Sequence, residues 1–386
     1  MVRTLNWGPA ARSLADGLRA SGDISSRSVY EAVASTPRHA FVPTHFKNTG
    51  GSPTLWQRRT EEDGVRWLEP IYSNTSLVTE LGSAEAADGG WHGVPVSSST
   101  QPSLTARMLE GLGIEPEDDV LDAGLGTGYQ AALILKLVAG PDRLTACDIS
   151  GTGAARDRLE ALGHHPRIIE ADATSWRWQR QFDKMIFSFG LPYVTDSIRT
   201  ALAPGGRLIA NVFGPMSAAL VLLEAHATGA LSGRFTEDGG AFMPAGREAG
   251  SVRPLPADLD ERSEGISGIP IEDFDNPHLT FLLSTRLPGL SLQHGMEEGG
   301  PMRRLVLPDG RWGEVTYHEE GGAKGWGVYQ DHGRGFWETV EQTWSWWIAH
   351  ARPTWDRFGL TVAPDGEHTL WYRSPDGGSW RVPTRP

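Results

Sequence analysis

Cysteine occurs once in 386 residues, at Cys147. A lone thiol forms no internal disulfide and supplies no cysteine-based zinc cluster. Its place at the end of an apolar run reads as a buried core thiol. No apolar run approaches the ~20 residues that a membrane span needs. The first residues, MVRTLNWGPAARSLADGL, lack the apolar stretch of a signal peptide. A cytoplasmic protein with no membrane partner is the expectation. An excess of positive charge is missing too: 35 Lys and Arg stand against 48 Asp and Glu, a formal charge of −13. The acidic excess falls mostly in residues 215–386. Affinity for nucleic acid comes from neutralised phosphates, so no nucleic-acid partner is expected. The acidic half reads as a solubilising surface that tolerates a partner with a basic segment. His318, His332, His350 and His368 lack metal-ligand spacing, and no metal is expected.

What the chain does have is one stretch around which the rest is organised, Val120-Leu121-Asp122-Ala123-Gly124-Leu125-Gly126-Thr127-Gly128-Tyr129-Gln130. An apolar, β-leaning pair runs into a carboxylate and three glycines follow at alternate positions. Ala131 to Leu135 then reads as helix. Strand, tight turn and helix N-terminus together open a doubly wound α/β domain. Asp148 ends the next apolar run, where its carboxylate can accept the hydroxyls of a ribose. Asp172 follows Arg167-Ile168-Ile169 and can accept from an adenine amino group. The spacing departs from the Gly-x-Gly-x-x-Gly of dinucleotide sites. A carboxylate two residues before the first glycine would repel a pyrophosphate and suits a cationic methionine end. S-adenosyl-L-methionine (AdoMet) is the favoured ligand, with a dinucleotide or a non-binding turn as alternatives.

Before this unit, Leu14, Leu18, Val29 and Val33 recur at helical spacing, with Ser25 or Ser26 as cap to the second helix. Pro37 ends the run, and His39 reads as a packed or exposed histidine beside Phe41. Residues 44–95 read as irregular inserts around 47–66 and 82–95, with an extended pair of segments over Ile71–Val78. Val96-Ser97-Ser98-Ser99-Thr100-Gln101-Pro102-Ser103 then leads into a helix through Leu104, Met108 and Leu112. The four hydroxyls are either a plain N-cap or an anion site for a substrate carboxylate at a helix N-terminus. After the cofactor unit, Phe182–Ser188 and Arg207–Val212 read as strands flanking a helix over Ile198–Leu202.

Taken in order, Leu14 to Val33, Pro37-Arg38-His39-Ala40-Phe41-Val42-Pro43, Thr100-Gln101-Pro102, Val120 to Leu133 and Pro204-Gly205-Gly206-Arg207-Leu208-Ile209 resemble protein-L-isoaspartate O-methyltransferases. The resemblance covers residues 11–214. It implies a Rossmann-like class I AdoMet-dependent methyltransferase of the α/β class, to which the hairpin and helix patterns of residues 215–386 add a C-terminal α+β domain. It also implies cofactor contacts from Asp122, Gly124, Gly126, Thr127, Gly128, Asp148, Asp172 and Ala173. Ser99 and Thr100 are the implied catalytic pair, with Ser98, Gln101 and Pro102 as substrate contacts. The family usually has Ser-x-Pro where this chain has Thr100-Gln101-Pro102, and Gly-Asp-Gly where it has Ala171-Asp172-Ala173.

Residues 215–386, with Gly240-Ala241-Phe242-Met243-Pro244 and a tryptophan-rich tail, resemble actinobacterial relatives that accompany ribosomal peptide gene clusters. That resemblance implies methylation of an aspartate in a macrocyclised precursor peptide of the graspetide or lanthipeptide kind, leading to aspartimide or isoaspartate. General isoaspartate repair and a non-catalytic scaffold are the alternatives. Asp309-Gly310 between apolar runs marks one hairpin and Ser374 to Gly378 another. Phe336, Val340, Trp344, Trp347 and Ile348 recur as a helix. Nine of the 15 tryptophans follow residue 300, as core or as a peptide-recognition wall. The expected division is 1–95 for the N-terminal helices and entrance inserts, 96–214 for the AdoMet-binding core, and 215–386 for a peptide-recognition domain. Oligomeric state is not set by the sequence.

Overall fold

The computed structural model describes residues 7–51, 53–214, 216–245, 262–297, 300–320, 323–331 and 335–384, with side chains left out at 262–266, 297, 317–320 and 323–331. The chain divides into two units. One comprises residues up to Phe189 with Asp196–Ile209. The other comprises Gly190–Thr195, Ala210–Ala245 and the described residues beyond 261. Residues 7–95 therefore fold with the glycine-rich core rather than apart from it.

The first unit opens with α1 (Trp7–Ala20) and α2 (Arg27–Ser35). Ser26 caps α2 by accepting from Val29 N, and the apolar face buries Leu14, Leu18, Val29 and Val33. A short α3 (Arg38–Phe41) follows. His39 Nδ1 lies 2.6 Å from Tyr72 Oη and packs among Trp7, Trp67 and Tyr72, as a packed histidine should.

Residues 44–99 differ from expectation. Instead of irregular inserts they form a closed barrel in the order β1 (Thr44–Asn48), β2 (Trp56–Thr60), β4 (Gly90–Ser99), β3 (Leu77–Ala87), with α4 (Val65–Ile71) between β2 and β3. Ile71 ends α4 and only Leu77 and Val78 of the expected extended pair lie in a strand. Closure over so few strands needs bends. Pairing of β3 with β4 shifts register between Val78 and Glu85, and Gly90 lets the backbone approach Trp56, whose carbonyl oxygen a Cβ would meet at 2.3 Å.

The core of this unit is a parallel sheet. β5 (Val120–Ala123) pairs with β6 (Leu144–Asp148) on one side and β8 (Phe182–Leu191) on the other, and β6 pairs with β7 (Arg167–Glu170). β9 (Leu202–Val212) flanks β8. The helices α5 (Pro102–Leu112), α6 (Tyr129–Ile134), α7 (Thr152–Glu160) and α8 (Asp196–Ala201) connect these strands. Parallel strands are covered on both faces and so read as continuous apolar runs. Val120, Leu121, Ala146, Met185, Ile186 and Phe187 are all fully buried. The strand order reverses at β5, where doubly wound sheets bind ligands beyond the strand C-termini.

The second unit is antiparallel. β10 (Leu220–Ala225), β11 (Leu231–Phe235), β17 (Phe358–Val362), β18 (His368–Tyr372) and β19 (Ser379–Val382) pair in that order. A five-stranded sheet runs β12 (Arg262–Ser267), β16 (Ala323–Asp331), β15 (Trp312–Glu320), β14 (Gly300–Val306), β13 (Ser291–Glu297). Both sequence-read hairpins are present, as Val306↔Trp312 and Trp371↔Ser379. Helices α9 (Pro277–Arg286) and α10 (Phe336–Ala349) complete it, and Phe281 packs on Phe213, Phe235 and Phe358. Among the described residues no helix is long and apolar enough to cross a membrane.

Candidate active site

The turn after β5 has positive φ at all three glycines, +93° at Gly124, +49° at Gly126 and +89° at Gly128, so any other residue there is strained. Their surroundings differ. A Cβ on Gly124 would meet Phe189 Cδ1 at 3.1 Å, and one on Gly128 would meet Ala155 Cβ at 3.4 Å. A Cβ on Gly126 would meet only the carbonyl oxygens of Gly124 and Ser98, at 3.9 and 4.0 Å. Packing holds the outer two glycines, while the middle one keeps an open face beside the end of β4.

Carboxylates surround the turn. Asp148 accepts from Gly126 N at 2.9 Å through Oδ2 and from Ile149 N at 2.8 Å through Oδ1. It thereby fastens the turn and keeps a lone pair on each oxygen. Asp172 Oδ1 accepts from Thr174 N and Oγ1, and its Oδ2 from Ser175 Oγ. Burial pushes its pKa up, but these bonds outweigh burial and hold it below the ordinary value. Ala173 is buried beside it. Ala171 N donates to Asp148 O at 2.8 Å, tying the ends of β6 and β7 together. Thr127 Oγ1 accepts from Tyr129 N at 3.4 Å, inside the first turn of α6.

Asp122 is fully buried. Its Oδ1 accepts from Gln130 Nε2 at 2.6 Å, and the same amide nitrogen lies 2.9 Å from Ser188 Oγ. Its Oδ2 is buried without a partner. Burial raises the pKa to about 7; the Gln130 bond opposes this and the Asp148 charge adds to it. An unpartnered buried carboxylate oxygen beside an open turn is a place where a cation or donor gains a strong hydrogen bond.

The hydroxyl run sits differently from the sequence reading. Ser97, Ser98 and Ser99 belong to β4, not to a helix cap, and α5 begins at Pro102 with Gln101 as a cap residue that makes no side-chain bond. One of the first free N–H groups of α5, that of Ser103, donates to Asn74 Oδ1 at 3.0 Å. Ser97 Oγ accepts from Thr79 Oγ1 at 3.1 Å. Ser99 is buried and its Oγ accepts from Arg38 Nη2 at 3.2 Å. The Ser98 and Thr100 hydroxyls have no hydrogen-bond partner among the described residues.

Arg38 is the residue that sequence reasoning missed. It is fully buried, and its guanidinium donates to Ile71 O at 2.8 Å, Thr100 O at 3.0 Å and Thr75 O at 3.2 Å besides Ser99 Oγ. No carboxylate pairs with it among the described residues. Burial lowers its pKa to about 10, so it stays charged at neutral pH behind the Ser99–Thr100 backbone. Asn74, Gln130 and Ser188 were also missed. The one signal for Arg38 was its place in the Pro37–Pro43 stretch, next to the apolar Ala40, Phe41 and Val42. Gln130 likewise stood out as a polar group at the start of an apolar helix.

The structure thus brings the Ser98 carbonyl to the open face of Gly126, with Asp148 linked to both Gly126 and Ala171. Among the described residues no group of His, Cys, Asp or Glu is arranged to hold a metal ion.

The family model for protein-L-isoaspartate(D-aspartate) O-methyltransferase matches residues 91–248. A protein-L-isoaspartate O-methyltransferase of Stenotrophomonas maltophilia (strain K279a) is 31% identical over 224 residues, spanning 57% of this chain and 82% of the relative. The chain belongs to the protein-L-isoaspartate O-methyltransferase family. The family relative from Aeropyrum pernix is 28% identical over 216 residues, 55% of this chain and 70% of that one. A solved protein-L-isoaspartate O-methyltransferase superposes with a TM-score of 0.53 at 18% identity, covering 94% of this chain and all of the other, which is a likeness of fold. The chain is a carboxyl O-methyltransferase of the class I α/β fold, and its cofactor is S-adenosyl-L-methionine.

Proposed function

We propose that this methyltransferase esterifies an aspartate or isoaspartate side-chain carboxylate in a ribosomally made, modified precursor peptide in the cytoplasm. The ester then closes to an aspartimide with loss of methanol, and addition of water to that imide leads onward to isoaspartate. The observation that carries the carboxylate chemistry is the approach of the Ser98 carbonyl to the open face of Gly126. In this reading the hydroxyls of Ser98 and Thr100, which have no hydrogen-bond partner among the described residues, face a carboxylate held beside the cofactor turn. AdoMet supplies an electrophilic methyl group on a sulfonium.

In this reading Asp122 and the Gly124–Gly128 turn, with Thr127, receive the methionine end, and the orphaned Asp122 Oδ2 supports that fit. Asp148 takes the ribose, while Asp172 and Ala173 flank the adenine. Thr100, with the backbone that Arg38 fixes around Ser99, orients the substrate carboxylate, and Gln101 and Pro102 line its approach. A carboxylate, with a pKa near ~4, is already ionised at neutral pH, so methyl transfer needs no general base. Orientation is the main task, and it can lower the barrier by ~7–11 kcal/mol. Imide closure follows when the next backbone nitrogen attacks the ester carbonyl and methanol leaves.

The precursor-peptide reading draws on the β1–β4 barrel, which leads directly into Ser97–Thr100, and on the second unit as a recognition module. General repair of isoaspartyl peptides is the second reading, favoured by the names of the relatives. A non-catalytic scaffold does not accord with an AdoMet-dependent enzyme family. Intact mass after incubation with AdoMet separates the two enzyme readings. The substrates are a short linear isoaspartyl peptide and a macrocyclised aspartate-containing precursor peptide encoded beside the gene. Methylation of the second alone supports tailoring; methylation of the first alone means repair and overturns it.

A further inference from the structure

The second unit is acidic in composition, yet one cleft in it is lined by arginines. Arg234, Arg352, Arg357 and Arg373 surround a cavity of about 700 Å³, with His350 and Tyr372. Among the described residues two carboxylates answer these four cations, each at long range: Asp356 Oδ2 lies 3.5 Å from Arg357 Nε and Asp273 Oδ2 lies 3.5 Å from Arg352 Nη2. The Arg352 and Arg357 side chains remain 55% and 65% exposed. Positive charge is therefore in excess inside the cleft, against the acidic balance of residues 215–386 as a whole.

The cleft is also conformationally built. Five non-glycine residues among those described have positive φ, and three of them line it: Ala351 at +60°, Arg352 at +53° and Arg373 at +67°. Such backbone is strained for a residue with a side chain and persists where the surroundings over-determine it, often at binding sites. Aromatic faces hold the cations in place. The Arg373 guanidinium lies 5.0 Å from the Tyr372 ring centroid, Arg352 lies 5.3 Å from Trp347, and Arg234 lies 4.9 Å from Trp371. Stacked guanidinium groups lose little freedom on binding and match carboxylates with two parallel N–H bonds.

We propose that this arginine cleft is a docking site for a carboxylate-rich segment of the peptide substrate, apart from the aspartate that is methylated. An extended polyanion such as nucleic acid would run beyond the cleft onto a unit of net acidic composition, whereas a short run of Asp or Glu matches the cleft's arginine excess. The identity of the partner rests on the peptide-substrate reading above; the anion site itself does not.

The test uses the full chain and a fluorescein-labelled peptide of six glutamates, with a six-glutamine peptide, inorganic phosphate and a short single-stranded oligonucleotide as comparisons. Salt-sensitive binding of the glutamate peptide, with no binding of the glutamine peptide, is expected. The double variant Arg357→Gln/Arg373→Gln should weaken it at least tenfold while AdoMet binding by calorimetry stays unchanged. In turnover, a substrate with an acidic flank should show a raised KM at constant kcat in the variant, and a substrate without one should show no change. Absent binding, binding unaffected by the variant, or equal loss of turnover on both substrates overturns the proposal. So does tighter binding of phosphate or of the oligonucleotide than of the glutamate peptide. Failure of catalysis with intact glutamate binding would count instead against the proposed function.

Discussion

Gln130 donates to one oxygen of Asp122 across 2.6 Å and leaves the other, Oδ2, buried and unpartnered. Burial lifts the Asp122 pKa from 3.8 to about 7. Between those values the unfolded chain has lost the proton and the folded chain keeps it. This group's contribution to stability is therefore complete below about pH 4 and is lost as the pH rises toward 7.

A pH-dependent affinity follows for the cofactor. If ionised Asp122 receives the cationic methionine end, AdoMet binding should tighten about tenfold between pH 6 and pH 8, in proportion to the ionised fraction. Calorimetry at several pH values measures this. Asp122→Asn should bind more weakly and lose the pH dependence; a wild-type affinity that is flat across this range would remove Asp122 from the role.

The glycines should separate by phenotype. Gly124→Ala would bring a Cβ to 3.1 Å from Phe189 Cδ1 at a φ of +93°, so lost stability dominates. Gly126→Ala has room and a milder left-handed φ of +49°, costing about 1–2 kcal/mol. It should stay folded and lose AdoMet affinity. Thermal melts with and without AdoMet distinguish the two, and equal behaviour would contradict the open-face assignment.

Much of this was legible in the sequence because it is local. The Val120–Leu135 stretch carries its strand, turn and helix in consecutive residues, and parallel strands announce themselves as apolar runs. The β1–β4 barrel was not legible. Two of its strands have only five residues, the two longer ones are interrupted by Gly82 and Gly93, and its closure depends on a contact as distant in sequence as Phe46↔Val78. The Ser97–Ser99 run looked like a helix cap because hydroxyls usually are, but the barrel claimed those residues for β4. Arg38 and Asn74 act on Ser99, Thr100 and Ser103 across 29 to 62 residues, and a single sequence does not show which distant groups such side chains meet.

Arg38 should matter for stability as well as activity. Arg38→Met would leave the carbonyls of Ile71, Thr75 and Thr100 without their donor, a loss of at least ~3 kcal/mol. Denaturant unfolding should show it, and Arg38→Lys should rescue only part, since an ammonium cannot span the same acceptors. Wild-type stability in Arg38→Met would contradict the account.

Thr100→Ala should lower kcat/KM by roughly ten- to a hundredfold, the worth of one hydrogen bond to a charged group, with AdoMet affinity nearly unchanged. Asp148→Ala should do the reverse, weakening AdoMet first. Kinetics set beside calorimetry decide both, and parallel losses in each variant would dissolve the division of labour.

The measurement that tests the central claim most directly is the chemistry of the transferred methyl. Tandem mass spectrometry of the peptide product, before and after mild base, locates the group and its linkage. The account predicts one methyl ester on an aspartate or isoaspartate side chain, with methanol lost as an imide forms. A base-stable methyl on nitrogen or on another side chain would contradict it.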